Sequence, residues 1–361
     1  VKPSDFLVVG GGMAGFSAAW HLATVGTVTL VEREPFAWAH SSGRNAAIFL
    51  HLADAPGDVA LAKRSRPLLE AVAPGCVGAE GVLLTASRPE ALDVAARAGA
   101  REGVRFERLE GAALAHEVPA LAGSSEAAAL WCPDDGVIDL HRVSEGLSRE
   151  ARRRGVQVLA GQAVVALGPS GGGAWRATLA DGTTRVAGAV VLAAGAWAAA
   201  LGAAVGAPLP LVPLRRHLVL LDAPAEKTGG HVTWSVDGGV YFRPESGGVL
   251  ASPCDETEWP AELPPPNPEA LELLAHRLAR VAPPLAAAGV RRSWACLRTF
   301  ATADRAAVVG KDPRHEGLYW LAGLGGHGMT GGLAAGEVLA NVVRGAPEPL
   351  AETLAPARLL R

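Results

Sequence analysis

Positive charge is not in excess in this chain: 33 Lys and Arg stand against 36 Asp and Glu, a formal net charge of -3. A nucleic-acid backbone or an anionic membrane surface selects a basic surplus, so neither is an expected partner. Cysteine is sparse as well. The four residues Cys76, Cys132, Cys254 and Cys296 lie far apart and form no Cys-x-x-Cys pair, so neither a zinc site nor a disulfide framework is expected, and no metal is assigned. No uninterrupted apolar run reaches membrane-spanning length, and no integral membrane segment is expected. The first residues lead straight into a strand pattern without a signal-peptide layout, which makes a cytoplasmic location the expectation. What is abundant is apolar: 49% of the 361 residues are hydrophobic and 19% charged, a composition that buries a large core and allows two or three domains.

Phe6-Leu7-Val8-Val9 is a short apolar run leading into glycines, the pattern of a strand buried on both faces of a parallel sheet. Met13 to Ala23 predicts a helix that Gly26 ends, and Val28 to Val31 a second strand, which completes a βαβ opening. Ala60 to Ala73 is helical by pattern with a break or kink at Pro67, and Gly81-Val82-Leu83-Leu84 is a strand that starts a different region. A helix from Leu140 to Arg154 and the strands Val156 to Leu159 and Val190 to Gly195, the latter ending in a glycine where backbone can approach a ligand, return to the first domain. Alternation from Leu211 to Pro253 predicts antiparallel strands, followed by Pro264-Pro265-Pro266 and a helix from Glu269 to Val281. The chain closes with a strand at Leu318 to Ala322, a glycine-rich turn and an apolar helix from Gly332 to Val343. The expected fold is α/β. A Rossmann-like dinucleotide domain (1–75, 140–205 and 305–361) is interrupted by a substrate-binding domain (76–139 and 206–304) built on a mixed, largely antiparallel sheet.

Gly10-x-Gly12-x-x-Gly15 follows a strand and opens a helix with Met13 and Ala14, so backbone N–H groups can approach a pyrophosphate with no Cβ in the way. Twenty residues after Gly12, Glu32 can accept hydrogen bonds from ribose hydroxyls and would repel a 2′-phosphate, which disfavours NADP; Arg33 follows it. The triplet alone does not separate FAD from NAD.

Two further segments make that separation. His40-Ser41-Ser42-Gly43-Arg44-Asn45-Ala46-Ala47 and Gly323-Leu324-Gly325-Gly326-His327-Gly328-Met329-Thr330 resemble the flavin-cradling motifs of the FAD-dependent D-amino-acid oxidase superfamily. Within it, the order of Ala194-Gly195-Ala196-Trp197, Pro213-Leu214-Arg215-Arg216, Val240-Tyr241-Phe242-Arg243-Pro244 and Trp294-Ala295-Cys296-Leu297-Arg298 is similar to that of the bacterial D-arginine dehydrogenases over nearly the whole chain. The resemblance implies FAD as cofactor. It places Ser41, Ser42, Arg44, Asn45, Ala46, Ala47, Ala194, Gly195, Trp197, Gly325, Gly326, His327, Gly328, Met329 and Thr330 around FAD, with Val164 and Val165 supporting its adenine side. Arg44 and the serines suit phosphate oxygens, His327 is a flavin neighbour through its backbone, and the helix from near Gly328 would point its positive end at the flavin.

The same resemblance sets Arg216 and Arg298 as carboxylate-binding arginines, with Tyr241 capping that carboxylate, and these three carry the catalytic assignment. Glu80 matches an acid that meets cationic side chains. Where the pattern has a histidine and then a tyrosine, this chain has Ile48 and Ala53. The loop is therefore more apolar, and preference can move from basic toward hydrophobic substrates. His51 is a partly exposed loop histidine that could compensate in part. The activity implied is oxidative deamination of D-amino acids by hydride transfer from Cα to flavin N5, giving a 2-oxo acid and ammonia. Oxidation of a secondary amine, sarcosine or glycine is a second reading, and a flavoprotein subunit that needs a partner chain a third. Oxygen and a quinone both stay open as electron acceptor.

Overall fold

The computed structural model describes residues 3–360, apart from the side chain of Ala112. The opening strand Ser4–Val9 (SDFLVV) is buried from Phe6 to Val9 because it lies at the centre of a sheet with parallel neighbours on both sides, Thr184–Leu192 and Val28–Val31. A strand enclosed on two faces has no polar side to display, which is why its sequence is a continuous apolar run. The sheet runs Val308–Lys311, Leu318–Ala322, Thr184–Leu192, Ser4–Val9, Val28–Val31, Gln157–Leu159, with the hairpin Val164–Pro169 and Trp175–Leu179 attached to Thr184–Leu192. Helices Met13–Leu22, Asp58–Val72 and Gly328–Arg344 pack on it. The first and last of these come unusually close. A Cβ on Gly336 would run into the Ser17 backbone, and Ser17 Oγ donates to the Leu333 carbonyl at 3.1 Å.

The second sheet has nine strands in the order Thr257–Glu258, Leu211–Asp222, Gly248–Ser252, Val240–Glu245, Val232–Ser235, Val82–Ala86, Ala128–Cys132, Glu107–Glu110, and Gly289–Ala301 pairs antiparallel along Leu211–Asp222. Only Val232–Ser235 and Val82–Ala86 run parallel among these pairs. The architecture is the expected α/β fold with one Rossmann-like sheet and one mixed, largely antiparallel sheet. The first sheet draws on residues 4–31, 157–192 and 308–322, the second on 82–132 and 211–301.

Two local expectations need correction. Asp58–Val72 continues through Pro67 without a break. Proline removes only its own N–H bond, to the fourth residue back, and that residue is the exposed Lys63, whose carbonyl water can serve. The last helix begins at Gly328, the start that the family resemblance implies, rather than at the Gly332 read from the apolar pattern, so its N-terminus reaches into the glycine-rich turn. No helix among the described residues is long and apolar enough to cross a membrane.

Candidate cofactor and substrate cavities

Two helix N-termini open on one cavity of about 420 Å³. Helix Met13–Leu22 starts after Gly12 and helix Gly328–Arg344 after His327, and neither carries a side-chain cap. The first-turn N–H groups that remain free beside the Met13 N–H taken by Ser42, and the positive end of the helix dipole, make each a place for negative charge. Gly10 has φ +115, and a Cβ there would collide with the Ala193 carbonyl and stand 2.9 Å from Ala194 Cα. Gly15 sits so close to the Gly10 carbonyl that a side chain has no space. Glu32, at the end of Val28–Val31, accepts from Gly11 N–H at 2.6 Å and from Glu34 N–H at 2.8 Å, one bond on each oxygen, leaving lone pairs for a ligand's hydroxyls.

The same cavity is lined by Met13, Ala14, Arg33, Ser41, Ser42, Asn45, Val164, Ala194, Gly195, Trp197, Gly325, Gly326, Gly328 and Met329. Ser42 Oγ accepts from Met13 N–H at 3.0 Å, and Asn45 Nδ2 donates to the carbonyls of Ser41 and Ser42, so the loop after the second strand is folded against the first helix by its own polar groups. Arg33 lies 3.9 Å over the Trp197 ring. Gln162, which the sequence reading did not single out, lines this cavity with a buried Oε1 that has no partner among the described residues. A buried orphan acceptor is costly unless a ligand completes it. Backbone donors, a braced carboxylate and an orphan amide along one elongated cavity fit the diphosphate, ribose and ring systems of FAD.

A second cavity, about 340 Å³, shares Asn45, Arg298, Gly325, Gly326 and Met329 with the first. Ala46, Ala47, Ile48, Ala53, Arg216, Tyr241, His327 and Thr330 line it, together with Leu50, Leu52, Trp234 and Phe300. Strand register places the arginines. Arg216 is directly opposite Cys296 and Leu214 opposite Arg298, so the two guanidinium groups leave the same face of the antiparallel pair, while Arg215 turns to the other face and covers the Trp259 ring. Arg298 is 7% exposed; its Nη1 is 2.7 Å from Cys296 Sγ, and no carboxylate pairs with it among the described residues. Arg216 is already engaged, donating to the Asp255 carbonyl at 3.0 Å and to Glu256 at 2.8 Å. Burial pushes the Tyr241 hydroxyl above its ordinary pKa against the pull of Arg298 and Arg216, so it stays a donor.

Four expected residues lie elsewhere. The Glu80 carboxylate accepts from Val137 N–H at 2.9 Å and packs against Gly78 and Gly136, which makes it the brace of a turn outside the cavity. His51 is buried and outside the cavity, its ring Nδ1 and its backbone N–H both on the Asp135 carboxylate. Val165 is 63% exposed, on the opposite side of its strand from Val164. Arg44 lines neither cavity; its carbonyl accepts from Trp294 Nε1 at 3.1 Å.

Residues 5–342 match the family model for FAD-dependent oxidoreductases of the DAO type. The chain belongs to that family. FAD is therefore its cofactor, and the residues of the cavity onto which the two helix N-termini open fit it. Glycine oxidase of Geobacillus kaustophilus (strain HTA426) is 30% identical over 243 residues, covering 67% of this chain and 62% of that protein. Mitochondrial dimethylglycine dehydrogenase of Rattus norvegicus is 28% identical over 279 residues, 71% of this chain and 31% of that one. The match thus spans less than two thirds of either relative's length. The crystal structure of L-proline dehydrogenase from P. horikoshii superposes with a TM-score of 0.89 at 23% identity, covering 100% of this chain and 98% of that one, which is a likeness of fold. The superfamily resemblance in the sequence holds, while the relatives that match by name are a glycine oxidase and dimethylglycine dehydrogenases rather than a D-arginine dehydrogenase.

Proposed function

We propose that this flavoprotein oxidises the Cα–N bond of an α-amino acid, D-amino acids being the leading class, to an imino acid that water hydrolyses to a 2-oxo acid and ammonia. The observation that carries this reading is Arg298. A guanidinium 7% exposed, with the Cys296 thiol and the Tyr241 hydroxyl for polar neighbours and no carboxylate among the described residues, stands where the two cavities meet. A buried cation without an anion costs free energy unless a ligand supplies one. A substrate carboxylate paired with its fork would hold Cα beside the cofactor cavity, a positioning effect.

Tyr241, kept protonated by burial, donates to the same carboxylate, and Arg216 adds positive potential from the neighbouring strand. Bound FAD supplies the hydride acceptor and the chain need not provide redox chemistry of its own. The residues that would hold it are Gly12, Ala14, Gly328 and Met329 through backbone N–H groups, Glu32 through its carboxylate, and Gln162 through its amide. Ile48, Leu50, Leu52 and Phe300 exclude water from the substrate side.

A second reading is glycine or an N-alkyl glycine, supported by the names of the two curated relatives. The carboxylate anchor serves it equally, and the apolar wall at Ile48 can take an N-substituent. Anaerobic mixing of the purified yellow protein with matched D- and L-amino acids, glycine and sarcosine, following flavin bleaching, tests both. Bleaching by D-amino acids is expected; bleaching only by L-amino acids or only by N-methyl glycine would sink the leading class. Turnover by the purified chain alone excludes a subunit that needs a partner.

A further inference from the structure

Most groups on the outer cavity that could take a proton are already committed. Glu256 receives both Arg216 and Arg305, Asp304 receives Arg358 and the Ala306 N–H, and burial keeps the Tyr241 hydroxyl protonated. Asp54 stands exposed at the mouth. His327 is different. It lies between Gly326 and Gly328, which both border the cofactor cavity, yet His327 itself lines only the outer one, so its imidazole is turned to the substrate side.

Two contacts hold that ring. Nδ1 stands 3.3 Å from Asp58 Oδ2, and the ring meets Trp234 edge-on with centroids 6.3 Å apart. The Asp58 side chain is 13% exposed and that of His327 24%, so the pair is partly dry rather than a solvated surface contact. Burial raises the Asp58 carboxyl above its ordinary value, the charge of His327 opposes that, and Asp54 adds to it. With the Nδ1 proton directed at Asp58, the free lone pair of the ring is on Nε2. The cations that face the ring across the cavity are Arg298 and Arg216. Arg298 is close: a Cβ on Gly326, the residue before His327, would stand 3.2 Å from Arg298 Cδ. A carboxylate on that guanidinium therefore carries its α-carbon to the part of the cavity that His327 enters.

We propose that His327, held by Asp58, is the catalytic base that takes a proton from the substrate's α-ammonium at Nε2. This rests on the amino-acid reading above. An amino acid arrives at neutral pH with its nitrogen protonated and without a lone pair to give. Transfer of one proton to Nε2 frees that pair, which becomes the second C–N bond as hydride leaves Cα for bound FAD. The nitrogen ends as an iminium, and the imidazolium returns its proton to water. Asp58 is a positioning residue in this step, because its charge steadies the imidazolium without touching the substrate. Asp54 and Asp58 favour a proton on the ring while Arg216 and Arg298 oppose one, which suits a group that must both accept and release it.

The test is anaerobic stopped-flow reduction of the holoprotein by whichever amino acid bleaches the flavin, between about pH 7 and about pH 10, in the parent and in His327→Gln. Glutamine keeps a hydrogen-bond acceptor but cannot hold a proton. A loss of about 100-fold or more is expected at the neutral end, shrinking to within about threefold at the alkaline end, where the amine sheds its proton unaided. Beside it, 2-aminoisobutyrate, which has no Cα–H to give up, is titrated through the flavin band, and its affinity in the variant should stay within about threefold of the parent. Asp58→Asn leaves the imidazole in place and should show the same pH pattern with a loss of about tenfold, which carries the test if His327→Gln yields no holoprotein. An equal proportional loss at both ends of the pH range, or a 2-aminoisobutyrate affinity that falls as far as the rate, overturns the base and leaves the amino-acid reading standing. Failure of that reading looks different: no amino acid bleaches the parent flavin at any pH, and both proposals fall.

Discussion

Replacing Arg298 with Met should abolish most substrate affinity while leaving the fold as stable as before or more so. The two halves of that expectation come from the same fact, a guanidinium 7% exposed with Cys296 Sγ at 2.7 Å and no carboxylate partner. Removing one member of a buried, hydrogen-bonded charge pair typically costs about 2–5 kcal/mol. Taking about 3–4 kcal/mol for a two-pronged arginine–carboxylate contact, at roughly 1.4 kcal/mol per tenfold, kcat/KM should fall by a factor of about 100–1,000. The folded protein without substrate loses no ion pair, and an apolar side chain of similar length removes the cost of a desolvated charge, so Tm should stay level or rise. Arg216→Met is the contrast. It breaks bonds to the Asp255 carbonyl and to Glu256, and an orphaned buried acceptor costs about 1–3 kcal/mol, so Tm should fall while the kinetic loss is smaller. The assay is thermal unfolding of each variant beside a titration of the holoprotein with a small non-oxidisable carboxylate, read from the flavin absorption band. If Arg298→Met binds that carboxylate within threefold of the parent, the anchor is elsewhere and the reasoning is refuted.

Gly15→Ala forces a methyl group onto the Gly10 carbonyl, backbone against which nothing can rotate away; yellow holoprotein should not be recovered, as absorbance at the flavin band relative to protein will report. Glu32→Ala removes the acceptor that holds Gly11 N–H at 2.6 Å and Glu34 N–H at 2.8 Å, and FAD affinity measured by release of flavin fluorescence on dilution should drop at least tenfold. Glu80→Ala should cost about 1–2 kcal/mol in chemical denaturation through the freed Val137 N–H, with the ratio of basic to neutral substrates left as it was; a selective loss of basic substrates would return Glu80 to the site. Burial would raise the Asp255 carboxyl, but hydrogen bonds from the His217 ring and N–H hold it below its ordinary value. A depressed carboxylate contributes stability that is full above the unfolded value near about 4 and is lost as pH falls through the folded one, so Asp255→Asn should flatten the acid limb of a stability-against-pH curve.

The cofactor half of the molecule was legible because its determinants are local. Strand, glycine triplet, helix, second strand and Glu32 occupy one stretch of chain, and the backbone geometry each glycine permits is a property of that residue alone. The substrate half depends on long-range register and side-chain direction. Arg216 and Arg298 are distant in sequence, and only the pairing of Leu211–Asp222 with Gly289–Ala301 puts them on one face. A shift of one residue would have brought Arg215 in instead. Glu80 shows the limit. Gly81, at φ +69, turns the chain after it, and the carboxylate ends against Gly78 and Gly136, a direction that composition around it does not encode. His51 turns away for a related reason: its ring partner Asp135 lies 84 residues along the chain, where nothing in its own loop announces it.

This division of labour explains how one fold can serve relatives named for glycine, dimethylglycine and L-proline. On the proposed reading a diphosphate would meet backbone N–H groups, whose positions are set by strand, turn and helix and which therefore persist as long as the fold does. The second cavity is lined by side chains from a loop, two long strands and the N-terminus of Asp58–Val72, and each can change without disturbing the sheet that carries it. In this chain the replaceable wall holds Ile48, Leu50, Leu52 and Ala53, while Arg298 is locked between Gly326 and Cys296 at the junction. On the proposed reading the anchor for a carboxylate is thus fixed relative to the cofactor cavity, and specificity is free to be rewritten at the wall that Ile48 to Ala53 build.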